Sequence, residues 1–369
     1  MDELDLLARA LPDAAPPSPE VVARARARVA AGPRRRAGHP WALWAAAPAT
    51  AVVVGVVFAL VSNLTPAPVA RPATAPNQAL LDLADRVERL PELSGAYWRR
   101  STVIGHRMPA GSYTLLVTSN SSYWHPRDAT DPAMWTRHVS VAQPAAPADE
   151  RAWRAAGSPA RVKPDCPSGA KSEQCAPLPV NSEKKQDCTY GWNADPNDKL
   201  PGSPLNGLSL DELAELPAEP AALEKALRAH HRVLEQRGLM QPVETYVASA
   251  TAALLDLPLR PGQRAATLRL LASLPGTKTY GTVKDPTGRP GLSVRVVDRK
   301  ERTRYSGELV SIQSRHLLDP RTGMTLATVT STDEARPGLP EGSVMVYGVF
   351  TGGWTDARPE NPRGCVKER

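Results

Sequence analysis

Apolar residues are spaced in three different ways along this chain, and each spacing predicts a different kind of element. Near the start, Leu4, Leu7 and Leu11 recur at i, i+3 and i+7, which places them on one stripe of a short helix. Asp2, Glu3 and Asp5 suit the positive end of that helix, and Pro12 with the Pro16-Pro17 pair ends it. Ser18 followed by Pro19 opens a second helix, with Val21, Val22, Ala25 and Val29 on one side. From Trp41 to Ser62 the periodicity stops, and 22 residues rich in Ala and Val carry no charge. A helix of that length spans about 30 Å, the thickness of a bilayer's hydrocarbon core. A helix of a soluble domain normally keeps a charged face, so the pattern predicts a membrane span. Pro48 lies in its first third, where a kink is tolerated if neighbouring groups satisfy the freed carbonyl.

Beyond a Pro/Ala spacer at 65–77 the helical period returns. Leu80, Leu83, Val87 and Leu90 predict a helix over Ala79 to Leu90, with Asp82 and Arg86 as an i,i+4 ion pair. From Ala96 the period becomes two, predicting antiparallel strands at 97–104, 112–119, 121–125 and 134–141. Residues 142–207 hold many prolines and almost no periodicity, which predicts a long irregular excursion. Ser209 and Glu212 then form a capping box. Pro220 opens a helix that Gly238 closes, and two more follow at 241–257 and 262–274, the last stopped by Pro275-Gly276. Strands resume at 277–283, 291–298, 306–313, 315–319, 324–331 and 343–352. Asp319-Pro320-Arg321-Thr322-Gly323 predicts a hairpin turn, since Pro presets the turn and Gly takes the positive φ.

The layout is therefore an Arg-rich tail at 1–40, a transmembrane helix at 41–63, a linker at 64–78 and an α+β domain at 79–369 with a Cys-containing insertion at about 142–207. Composition sharpens this picture in two places. Proline, at 38 residues, is close to twice its usual share of about 5%, so much of the chain is turn or extended spacer. The net charge of +7 suggests nucleic acid at first sight, but the first 40 residues contribute +2 and the remaining +5 is spread over the rest. No basic cluster alternates with aromatics, and nucleic acid is not an expected partner.

Charge also orients the span. Arg24, Arg26, Arg28, Arg34, Arg35 and Arg36 precede it, whereas Arg71 is the only Lys or Arg between it and Arg86. Cationic flanks stay on the cytoplasmic side, so the amino terminus is expected inside and the α+β domain outside the cell membrane. All four cysteines, Cys166, Cys175, Cys188 and Cys365, fall on the exported side, which predicts two disulfides with three connectivities that spacing does not separate. The apolar run is longer than a signal peptide's core of about 7–15 residues and has a long segment before it, so an uncleaved anchor is expected.

Candidate chemistry is sparse. Ser168–Lys171 and Ser182–Lys185 are Ser-x-x-Lys strings, but the Ser-Asp-Asn and Lys-Thr-Gly partners of a serine acyl-transferase are missing. His230 and His231 are adjacent on a helix and point about 100° apart, so they do not chelate as i,i+4 histidines do. The cysteine spacings lack the close pairs of zinc sites. No catalytic, cofactor or metal residue is expected.

The ensemble does resemble a known group. The Arg-rich tail, single span, Pro-rich spacer, helical block from Leu208-Ser209 and the run LASLPGTKTYGTVKDPTGRPGLSVRV…HLLDPRTGMTLATVTS are similar to a family of uncharacterised actinobacterial single-span membrane proteins associated with extracytoplasmic-function sigma factors. The similarity covers nearly the whole chain and is clearest over 268–331. It implies an outer domain similar to LolA and RseB, a curved antiparallel half-barrel on helices. It carries no catalytic residues across. The anti-sigma zinc pattern is missing, because the first 40 residues contain only His39 and no cysteine. Two functions follow as expectations. One is a non-enzymatic envelope sensor that relays a ligand or protein contact to a regulatory partner of a sigma-factor system. The other is a membrane-tethered carrier for a lipid or hydrophobic peptide. A long apolar groove would favour the carrier, and a filled core would favour contact with protein.

Overall fold

The computed structural model describes residues 77–368, except 129, 139–140, 166–175, 181–187, 194–199, 201–207, 239–240, 297–300, 306–307 and 337–338. The two helices expected in the tail, the span at 41–63 and the spacer up to residue 76 lie outside the described residues. Among the described residues no helix is long and apolar enough to cross a membrane.

Helix α1 (Gln78–Glu88) buries Leu80, Leu83, Ala84 and Val87, the stripe its spacing dictates. The expected Asp82–Arg86 pair is replaced by other partners. Gln78 donates to Asp82 at 2.8 Å, and Arg86 reaches across to the Pro320 carbonyl, a satisfied acceptor that a solvent-exposed i,i+4 pair worth a few tenths of a kcal/mol does not outweigh.

Two strands of 14 residues each, β1 (Tyr97–Ala110) and β2 (Tyr113–Pro126), follow as one unbroken hairpin, from Tyr97 opposite Pro126 to Ala110 opposite Tyr113. The expected breaks around Gly105 and Asn120 do not occur. Gly105 serves packing instead: a Cβ there would lie 2.2 Å from the Tyr347 ring, which rests on this strand. The strand expected over 134–141 is two, β3 (Ala133–His138) and β4 (Val141–Pro144), which pair with successive stretches of β2.

The described residues of the insertion hold regular elements that its sequence does not announce. It contains helix α2 (Pro147–Ala155), the small ladder of β5 (Arg161–Val162) with β6 (Leu178–Pro179), and β7 (Cys188–Asn193), which joins the main sheet beside β3. Short elements of this kind are fixed by partners distant in sequence, so no local period announces them.

The helical block is α3 (Leu210–Ala214), α4 (Pro220–Gln236), α5 (Val243–Leu254) and α6 (Pro261–Ser273). The Ser209–Glu212 capping box is present with both of its bonds. Helix α6 has no exposed stripe, because it packs against α1, α4 and α5 and buries Ala265, Ala266, Thr267, Leu268, Leu270 and Leu271. Strands β8 (Lys278–Lys284), β9 (Pro290–Arg295), β10 (Glu301–Tyr305), β11 (Glu308–Leu318), β12 (Thr325–Thr332), β13 (Val344–Thr355) and β14 (Val366–Lys367) complete the chain. The two strands expected at 306–313 and 315–319 are the single β11, and β10 was not expected. The hairpin turn after β11 forms as its residues require, with Gly323 at φ 70° and the Asp319 carboxylate accepting from the Arg321 amide at 2.8 Å.

All strands but β5 and β6 build one sheet in the order β14-β7-β3-β2-β1-β13-β12-β11-β9-β8, with β10 added to β11 and β4 to β2. Its pairings are antiparallel except β14 with β7. The architecture is therefore α+β, a large open and mostly antiparallel sheet with a helical layer. The sheet is strongly curled. Thr114 of β2 and Tyr305 of β10 have their hydroxyls 3.1 Å apart, although β1, β13, β12 and β11 lie between those strands. In a flat sheet five spacings would hold them about 24 Å apart.

Both faces of the sheet are packed. Trp98, Leu292, Val294 and Leu318 join the helices in the principal core. The opposite face carries Leu116, Leu317, Ala327, Tyr347 and Val349 in a second cluster, with Val283 of the β8–β9 hairpin against it. That hairpin's tip is anchored by Asp285, whose buried carboxylate accepts from Thr287 and from Arg289 Nε at 2.6 Å, while Arg289 also donates to the carbonyls of Leu326 and Phe350.

Candidate functional site

Alternation along a strand sends every second side chain to one face. The register of β1 with β13 sets Trp98 opposite Trp354, Thr102 opposite Phe350 and His106 opposite Val346. Trp98 and Trp354 pack with the helices, so Arg100, Thr102, Ile104 and His106 share the helix-facing side with Phe350 and Val346. The helices cover only one end of this face. At its other end Leu115, Val117 and Met108 are covered by Ala152 and Trp153 of α2 and by Val162 and Leu178 of the small ladder. Between the two covered ends Ile104 is 42% and Val346 43% exposed, near the middle of a wide sheet.

One row of residues crosses this open strip: His316 opposite Thr328, Thr328 opposite Gly348, Gly348 opposite Ile104, and Ile104 opposite Ser119. Its floor is thus apolar in the centre, hydroxyl-bearing around it and histidine at one end. Gly348 leaves room for the Phe350 ring, which a Cβ would meet at 3.1 Å.

Where the strip meets the helices, three ionisable groups converge. Arg100 Nη2 lies 3.1 Å from Asp256 Oδ2, just past the end of α5, and the guanidinium stands 4.5 Å from the centre of the Phe350 ring. Both charged side chains are nearly buried, at 14% and 13% exposure, so this is an ion pair between layers rather than a surface decoration. His316 lies within reach of the Asp256 field. Burial pulls its pKa below the ordinary value and outweighs the opposing pull of Asp256. Asp256 Oδ1 and His316 Nδ1 are both shut off from solvent without a hydrogen-bond partner.

Beneath the helices the space is filled. Trp98, Leu227, Leu254, Leu268, Leu271 and Leu318 are each 3% exposed or less. An open pocket of about 400 Å³ lies outside this core, at the start of α6 beside Leu90, Glu92, Leu216, Arg260 and Gln263. The Gln263 amide within it is already committed to the Leu213, Ala214 and Leu216 carbonyls.

The residues singled out from sequence fall as follows. Cys188 and Cys365 form a disulfide that ties the last strand to β7, and Cys166 and Cys175 lie outside the described residues. The two Ser-x-x-Lys strings also lie outside them. His230 Nδ1 pairs with the Tyr246 hydroxyl at 2.7 Å and His231 Nε2 with the Gln241 carbonyl at 2.8 Å, so both histidines have structural partners. Among the described residues no three His, Cys, Asp or Glu side chains gather closely enough to hold a metal ion. Sequence reasoning missed Arg100, Asp256 and His316. The period-two pattern placed Arg100 and His316 on strands, but nothing local links them to a carboxylate in a loop between helices. Comparison of the chain with protein-family models, curated proteins and solved structures returned no match.

Proposed function

We propose that this chain is a single-span membrane protein, amino terminus in the cytoplasm, whose outer domain senses or binds a partner without catalysis and relays that contact to a regulatory protein of a sigma-factor system. The observation that carries the reading is the uncovered strip around Ile104 and Val346, flanked on both sides by packed cores. A long sheet normally covers such residues or keeps them polar, and an exposed apolar strip rimmed by hydroxyls suits a contact surface. The curled sheet and its helical layer support a half-barrel similar to LolA and RseB. The filled core supports a polypeptide partner over a buried acyl chain, since no room for a chain separates Trp98 and Leu318 from the helices above them. The alternative, a membrane-tethered carrier for a lipid or hydrophobic peptide, draws its support from the same exposed Ile104 and Val346.

A photo-crosslinking residue at position 104 of the full chain in native membranes separates the two readings. Protein adducts are expected, and adducts to lipid alone would replace the sensor by the carrier. Recovery of cytoplasmic partners with the full chain, but not with a chain lacking residues 2–31, tests the relay. Identical recovery from both would remove it.

A further inference from the structure

Three side chains stand in one row at the β7 edge of the sheet. His138 of β3 lies opposite Cys188 of β7, and β14 runs parallel beside β7 with Val366 next to Thr189. Cys365 therefore comes alongside Cys188, with the Cα atoms 4.6 Å apart and the sulfurs joined. Directly opposed residues have Cβ atoms about 4.5–5.5 Å apart on one face of a sheet, so the His138 imidazole and the Cys188 sulfur are immediate neighbours. The buried Nδ1 of His138 has no hydrogen-bond partner.

The two sulfurs are not equivalent. Cys188 is 6% exposed, whereas Cys365 is half-buried between Gly364, which is exposed, and Val366, which is 68% exposed. Arg363 and Lys367 flank Cys365, with Glu368 as the single acid between 362 and 368, a field that favours an approaching thiolate. Little besides the bridge holds this strand. β14 pairs through two residues, the Glu368 amide donates to the Tyr190 carbonyl at 2.8 Å, and the Trp192 indole donates to the Asn361 side-chain oxygen at 2.9 Å. A purely structural bridge is kept from reagents at both sulfurs, whereas an accessible one is open to exchange.

We propose that the Cys188–Cys365 bridge is a thiol–disulfide exchange site for a dithiol, with Cys365 the sulfur attacked, Cys188 the sulfur expelled and His138 the partner of the expelled thiolate. One thiolate of the dithiol bonds to Cys365 Sγ, and the electron pair of the old bond leaves on Cys188 Sγ. That thiolate forms beside His138, whose ring N–H can donate to it. The acceptor is a neighbouring sulfur of the same sheet, so the buried imidazole needs no access to solvent. The second thiolate of the dithiol then attacks the dithiol's own first sulfur and frees Cys365 as a thiolate. The dithiol ends as a disulfide, and the two electrons it gave up reside on Cys188 and Cys365. Opening releases residues 361–368 and uncovers the β7 edge, so exposure of that edge follows the thiol balance of the surroundings. The site lies three strands from Ile104 and stands or falls separately from the sensor reading.

The test uses the full chain, folded in neutral detergent without denaturant. Samples are treated with glutathione or with dithiothreitol, quenched in acid, alkylated and mapped by peptide mass spectrometry at positions 188 and 365. Glutathione should be found on Cys365 with the alkyl group on Cys188, and dithiothreitol should leave both cysteines alkylated before the chain unfolds. Hydrogen exchange of the dithiothreitol-treated chain should be faster over 361–368 and in β7, with β12 and β13 unchanged. His138→Gln should slow the opening about tenfold at an unchanged thermal midpoint, because the leaving sulfur has lost its partner. His138→Asn serves if the Gln variant does not fold, and the mapping of the native chain needs neither. Glutathione on Cys188 or on both cysteines alike, opening no faster than global unfolding, or equal rates in native chain and variants would overturn the proposal.

Discussion

At the scale of single residues, the chemistry of the strip rests on where three side chains end their reach. Arg100 and Asp256 pair between layers, and His316 is left with a buried Nδ1 that has no hydrogen-bond partner. Because the folded pKa of His316 is depressed below the ordinary 6.5, the folded chain takes up this proton at lower pH than the unfolded one. Stability should therefore fall as pH drops from 7 toward 5, a window above that in which Glu88, Asp128 and Glu244 take up protons. His106 and His230 are depressed too, mainly by burial, and add to the same slope. Denaturant unfolding across pH 5–7 should give a visibly shallower dependence for His316→Gln than for the native chain. Equal slopes would show that His316 titrates alike in both states. That residues 315–319 form strand was readable in the sequence, but their parity was not, because the adjacent Leu317 and Leu318 pack into opposite cores. Nor was the carboxylate facing His316, because it lies some 60 residues away in a turn whose position depends on helix packing.

At the scale of elements, the helical block shows how far local signals reach. The Ser209–Glu212 box, Pro220 and the Pro275-Gly276 stop all act within a few residues, and each helix end falls close to them. The end of α3 is different. Its terminal carbonyls are satisfied by the Gln263 side chain of α6, whose Oε1 also accepts from the Arg260 amide. One buried amide thus closes one helix and opens another. Gln263→Leu keeps the volume but leaves those carbonyls dry, and should cost about 2–3 kcal/mol in chemical denaturation, near the upper end for a buried unsatisfied group. A loss below half a kcal/mol would mean that water replaces the amide. Helix α6, at Pro261–Ser273, was legible from its Pro275-Gly276 stop rather than from a stripe. It is surrounded by other helices, and a helix buried all round carries no amphipathic stripe.

At the scale of the whole molecule, the disulfide joins strands that no local feature would pair. Cys188 and Cys365 are 177 residues apart, and β14 adds only two residues in parallel to β7. The bridge therefore holds the closing strand and covers the β7 edge of the sheet, together with the Trp192–Asn361 hydrogen bond at 2.9 Å. Replacing both cysteines by Ser should lower stability by about 2–4 kcal/mol, measured under oxidising conditions against the native chain. Hydrogen exchange should report faster exchange in β7 and β14 while β12 and β13 keep their protection. Uniform loss across the sheet would show that the bridge supports the whole fold instead.

The amino-acid sequence by itself determined the elements whose partners lie nearby: the stripe of α1, the caps of the helical block, the period-two strands and the hairpin turn at Gly323. These depend on backbone geometry and on which face must leave water, and both are written within a few residues. Tertiary structure alone decided the strand order, the curl that brings Thr114 to Tyr305, the pairing of Cys188 with Cys365, and the meeting of Arg100, Asp256 and His316. Such contacts join residues separated by tens to hundreds of positions. Their energy comes from burial and charge balance that exist only once the sheet has closed around its cores.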